Sequence, residues 1–169
     1  APAELPELTQ PVNDFAHVVD AQSAQEIDRI SRALQAASGD VIVVATVPDI
    51  DSYGSTREYA VKLFENHGRG IGDKGKDNGL LIVLAMRERR VEVEVGYSLE
   101  QWITDGFAGE TSREVMAPEF RNGRYGAGLL AGTARIAGRI AQARNVQLTG
   151  VAAPRQRRST PTVLPFWWL

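Results

Sequence analysis

Two apolar runs constrain the fold of this chain more than any other feature. Residues Val41 to Val47 read Val-Ile-Val-Val-Ala-Thr-Val, and Gly79 to Met86 read Gly-Leu-Leu-Ile-Val-Leu-Ala-Met. Neither alternates, and each is bounded by turn residues, so both predict strands covered on two faces. Between them, Ser55 or Thr56 caps a helix to about His67, with Tyr59 and Leu63 on its buried face. Strand, helix and second buried strand predict a right-handed parallel crossover. A sheet of this kind needs helices on both faces.

The flanking segments fill out that layout. Asp20 predicts the cap of a helix over roughly 21–38, with Ser23 and Glu26 as a capping box one turn in. Ile27, Ile30 and Leu34 fall on one face, and Gly39 ends the helix. Arg90 to Gly96 alternates: Val91, Val93 and Val95 face one way, Glu92 and Glu94 the other. That pattern predicts a strand with one solvated face, hairpinned antiparallel to the run before it. Asp105 predicts the cap of a helix over about 106–117, which Pro118 ends or kinks. Tyr125 to Ala143 predicts a long helix with Leu129, Ile136 and Ile140 as its stripe. Residues 1–13 read as extended and proline-bearing. The expected centre is a mixed sheet of three or four strands between helices.

Composition narrows the function classes. A chain of 169 residues is long enough for one substantial core. We expect that domain over 1–145, and a linker and tail over 146–169, where the apolar period is lost. A net charge of -2 gives no support to nucleic acid as the main partner. With no cysteine, disulfides, thiolate zinc sites and cysteine catalysis are excluded. The start, Ala1-Pro2-Ala3-Glu4, resembles a mature chain after signal-peptide removal, so an extracytoplasmic location is expected. Arg155 to Arg158, followed by Phe166-Trp167-Trp168-Leu169, resembles the flank and interface belt of a membrane anchor.

The candidate site centres on the glycine- and aspartate-rich stretch Gly68 to Gly79. It formally matches a dinucleotide fingerprint and most of a P-loop. Those motifs follow a strand and open a helix, so that phosphate meets a helix N-terminus. This loop follows a helix and opens a strand, which rules against nucleotide. It is also no EF-hand: the third position is Gly75, the sixth Asn78 and the twelfth Leu84. The hairpin should bring Glu100 and Asp105 beside Asp77 and Asp73. Four converging carboxylates repel one another unless a cation sits among them. Alternatively each has a routine task, Asp105 as a cap and Asp77 bracing its own turn. Asp49-Ile50-Asp51 imitates an aspartate-nucleophile phosphatase motif, but Pro48 and Tyr53 depart from it. His17 and His67 are too separated for a triad or a transition-metal site.

Five ordered blocks resemble the TPM domain family. They are Pro11 to Ala16, Ile71 to Gly79, Val93 to Glu100 with Thr104-Asp105, and Phe120 to Tyr125. The resemblance covers about 8–143. It implies a Rossmann-like three-layer α/β/α sandwich, usually exported and often followed by a membrane anchor. It also implies a divalent cation, calcium or else magnesium or manganese, in an acidic cleft. Asp14, Asp77 and Asp105 match the family's acidic positions. Asp73 falls where the family varies, and Phe15 stands where tyrosine is common. Family roles differ: plant members are associated with acid phosphatase activity and photosystem repair, and a nematode member with a receptor. The expectation is therefore an interaction or protein-maintenance module with a protein partner and a cation site at Asp14, Asp73, Asp77, Glu100 and Asp105. A metal-assisted acid phosphatase is the alternative.

Overall fold

The computed structural model describes residues 4–149. Its sheet has four strands in spatial order β1-β2-β3-β4, the same as their order in the chain. These are β1 Val12–Asp14, β2 Val41–Val47, β3 Gly79–Ala85 and β4 Arg90–Val95. The first three run parallel and β4 returns antiparallel. The expected α/β sandwich with a small mixed sheet is the fold observed. The predicted linker and anchor-like tail lies outside the described residues, apart from its first four. Among the described residues, no helix is long and apolar enough to cross a membrane.

The two continuous runs became strands because each is buried on both sides. One face is covered by α1 Ala21–Ser38 and α5 Tyr125–Arg144. There Ile27, Ile30 and Leu34 meet Leu129, Ile136 and Ile140 over Ile42, Val44, Leu80 and Ile82. The other face is covered by α2 Thr56–Glu65, whose Tyr59, Ala60 and Leu63 pack on Val43, Ala45, Leu81 and Val83. The predicted caps of the first two helices are present: Asp20 accepts from Ser23 N–H, and Ser55 accepts from Glu58 N–H. Gly39, at φ 82°, closes α1 in the left-handed region that glycine adopts without strain. At the far end, the side chain of Arg144 reaches back to the buried Asp40 at the entrance to β2.

Three local expectations are corrected. The segment before residue 14 contains β1, a short edge strand paired to β2. Three residues carry no readable period. Thr104 caps α3, Asp105–Glu110, by accepting from Phe107 N–H at 3.1 Å; Asp105 is the first helical residue. Threonine and aspartate both cap well, so the adjacent pair left the boundary one residue ambiguous. Of the two expectations for Pro118, an end or a kink, the end is not met. A π-helical turn, Thr111–Met116, carries the chain into α4, Ala117–Arg121, with the proline in its first turn.

Candidate functional site

The glycine loop is fixed by close backbone packing. Gly79 lies against the carbonyl of Ile71, and Gly96 against the carbonyl of Asp77; a Cβ at either position would overlap that carbonyl. The Asp77 carbonyl accepts from Ser98 N–H at 3.1 Å and Ser98 Oγ at 2.9 Å. The hairpin therefore does bring the segment after β4 beside the loop. The brace within the loop is Asn78, not Asp77. Its Oδ1 accepts from Asp73 N–H at 2.9 Å, and its Nδ2 donates to the Gly39 carbonyl at 2.8 Å. The carboxylate of Asp73 pairs with Lys76 at 3.5 Å, on the surface.

Asp14 is elsewhere. It stands level with Thr46 at the far end of the parallel strands, while Gly79 stands level with Val41. With about 3.3 Å per residue along a strand, Asp14 and Asp77 are on the order of 20 Å apart. The Asp14 carboxylate is also occupied. Oδ1 accepts from Val18 N–H at 3.0 Å and Thr46 Oγ1 at 2.7 Å, and Oδ2 accepts from Val19 N–H at 3.1 Å. It braces the turn between β1 and α1. The five predicted ligands thus do not fit one ion. Among the described residues, no three His, Asp or Glu side chains are grouped to hold a metal.

Glu100 and Asp105 do share a site. Both line an open cleft of about 700 Å³ that runs along β4. One wall is Arg57 of α2; the other runs from Glu100 through α3 to Arg113 of the π turn. All six residues of β4 take part, including Arg90, Glu92 and Glu94. Glu92 accepts from Thr56 Oγ1 at 2.8 Å. Among the described residues, Arg57, Arg90 and Arg113 form no ion pair. These arginines come from three separate elements and make no local motif, so the sequence reading missed them. Phe107 of α3 is tied to α5 by the guanidinium groups of Arg135 and Arg139, which lie over its ring at 4.8 and 4.4 Å.

Burial raises the Glu94 carboxyl above its ordinary value; nearby Arg57 lowers it, and the charges of Glu92 and Asp105 raise it again. The sign for stability follows from proton binding. Between the unfolded and the raised folded value, the folded state binds more protons, so stability falls as pH rises through that window. Glu94→Gln is expected to remove this part of the pH dependence and to leave the protein slightly more stable at neutral pH. Urea midpoints at pH 4 and 7 measure it. An unchanged slope would show that Glu94 is fully solvated.

The matching family model is described as TPM domain and covers residues 12–139. No curated protein matches the chain. Among solved structures, the N-terminal domain of a protein from P. gingivalis is similar at 28% identity and a TM-score of 0.73, over 82% of this chain and 86% of that one. The N-terminal domain of the cg2496 protein from Corynebacterium glutamicum shares the fold at 19% identity and TM-score 0.58, over 80% and 83% of the two chains. The BA42 protein from the psychrophilic bacterium Bizionia argentinensis does so at 21% and 0.58, over 73% and 82%. All three were determined by NMR. The chain belongs to the TPM domain family.

Proposed function

We propose that this TPM domain is a binding and interaction module that works through the cleft along β4. The supporting observation is the set of charged groups there: arginines and carboxylates from separate elements share a concave surface, and the arginines pair with none of the described carboxylates. Guanidinium groups not committed to an ion pair within the fold are available to a ligand. In this reading the protein is exported and membrane-tethered, and its partner is a protein.

A calcium-type ion would be held by Glu100 and Asp105, which supply only part of the six to eight oxygens it needs, with water supplying the rest. Such a site is expected in the weak range of extracellular modules, about 10⁻⁴ to 10⁻³ M. Thermal unfolding with calcium tests it. At 100 times Kd the shift corresponds to about 2.7 kcal/mol. Asp105→Asn should abolish the shift and Asp14→Asn should not. If calcium, magnesium and manganese all leave the transition unmoved, the cation reading is lost and the interaction reading stands on partner binding alone.

The arginines favour a second reading, a metal-assisted acid phosphatase, because guanidinium groups suit phosphoryl oxygens. A nucleophile is harder to supply. Thr104 Oγ1 caps α3, and Ser112 Oγ donates to the Ala108 carbonyl at 2.9 Å. In the same calcium series, hydrolysis of p-nitrophenyl phosphate no faster than by the Asp105→Asn variant would remove the enzyme reading.

A further inference from the structure

The open edge of β4 carries a more specific inference, which rests on the cleft being the binding surface. We propose that the cleft receives an extended peptide segment of a partner protein, which adds to the sheet as a fifth strand beside β4. The hydrogen-bond register supports this. Gly96 N–H donates to the Gly79 carbonyl at 2.8 Å, and the β3–β4 pairing continues as Leu81↔Glu94, Val83↔Glu92 and Ala85↔Arg90. In an antiparallel ladder, directly opposed pairs alternate between bonded and non-bonded. The bonded set is therefore Gly96, Glu94, Glu92 and Arg90. The intervening Val91, Val93 and Val95 direct their N–H and C=O groups away from β3, toward the cleft.

An exposed row of this kind is a template for another strand. Among the described residues, β4 is an edge strand, with β3 as its sole neighbour in the sheet. Among the described residues, the outward backbone groups of Val91, Val93 and Val95 have no hydrogen-bond partner outside the sheet. The walls stand on either side of the edge, α2 on one face and the α3 segment on the other, as they must for a strand to enter between helix layers. Six residues of β4 offer a track of about 20 Å at roughly 3.4 Å per residue.

The two faces of the track name the peptide's chemistry. On one side Val91, Val93 and Val95 belong to the core face, with Ile103 and Ala108 completing an apolar floor. On the other side Glu92 and Glu94 line the cleft, with Arg90 at the far end of the same row and Arg57 beside Glu94. An added strand alternates its side chains between the same two faces. Its apolar residues would lie over the valines, and lysine or arginine at the alternate positions would meet Glu92 and Glu94. The preferred segment is therefore about six residues of alternating apolar and basic type.

The test uses the purified chain and a fluorescein-labelled peptide of three Lys-Val repeats, followed by anisotropy and by NMR shifts of the β4 amides. A peptide of the same composition in two blocks is the control. The alternating peptide is expected to bind at least tenfold more tightly than the block peptide and to shift the Val91, Val93 and Val95 amides. Val93→Pro removes an outward donor without touching the β3 ladder, a position where an edge strand accepts proline. It should weaken binding at least tenfold. Should that variant fail to fold, N-methylation of alternate peptide amides replaces it: one register should abolish binding and the other keep it. Equal binding by both peptides, or indifference to both registers and to Val93→Pro, overturns strand addition. If Glu94→Gln still weakens binding in that case, the cleft stands as a charge-driven surface. No binding of either peptide at millimolar concentration, or self-association of the chain through β4 in its place, also overturns the proposal.

Discussion

Replacing Arg144 by methionine is expected to destabilise the domain by about 3–5 kcal/mol. Asp40 is fully buried, at 0% exposure. Both its oxygens accept from one guanidinium, Oδ2 from Nε at 3.0 Å and Oδ1 from Nη2 at 2.9 Å. The same guanidinium lies 4.6 Å from the Trp102 ring centroid. Methionine keeps most of the apolar stem but strands a charge away from water, and that is the costly event. The exposed Arg32–Asp28 pair, one helical turn apart, is screened by solvent and contributes little by comparison. Urea unfolding at pH 7 measures the difference. Adding Asp40→Asn to Arg144→Met should recover a large part of the loss, because the stranded charge is gone. A single-variant loss below about 1 kcal/mol would mean that water reaches Asp40.

The second large effect is expected at Gly96→Val, at about 3 kcal/mol. The new side chain must displace the Asp77 carbonyl, and its Cβ would also approach the Gly79 carbonyl to 2.9 Å. Backbone cannot step aside as a flexible side chain can. The loop should detach first, so hydrogen exchange at Ser98, whose N–H donates to Asp77, should accelerate before exchange in β2 and β3. Gly70→Ala is the contrasting case. It has no neighbour within 4 Å, and its cost is limited to about 1 kcal/mol for holding φ 71° with a side chain. Equal effects of the two substitutions would refute the packing account.

What was legible in the chain follows from how far each signal reaches. Val41–Val47 and Gly79–Ala85 were readable because burial on both faces imposes composition over seven residues. The alternation in β4 showed its pairing and its two faces. The placement of Asp14 was not readable, because three residues of β1 carry no period, and without that strand the end of the sheet where Asp14 sits is unassigned. Matching Asp14 to a family position named a residue without saying where it lies. The π turn left no mark beyond Pro118, which alone reads as a stop or a kink. The cleft was half legible. Glu100 and Asp105 follow β4 closely, whereas Arg57 and Arg113 arrive from elements far away in the sequence. Convergence of that sort is a property of topology, and no local pattern encodes it.

The contact between Asp40 and Arg144 spans 104 positions, and α5 covers a sheet face completed long before it. During synthesis this gives the domain a late-closing half. A nascent chain ending before Tyr125 already contains the four described strands and α1, yet leaves Ile42, Val44 and Ile82 without their final cover. Such a chain exposes apolar surface of the kind that recruits chaperones. The last of the described helices to emerge is therefore also the step that commits this domain to its native state, and truncations within it should behave as folding defects before they show any defect in binding.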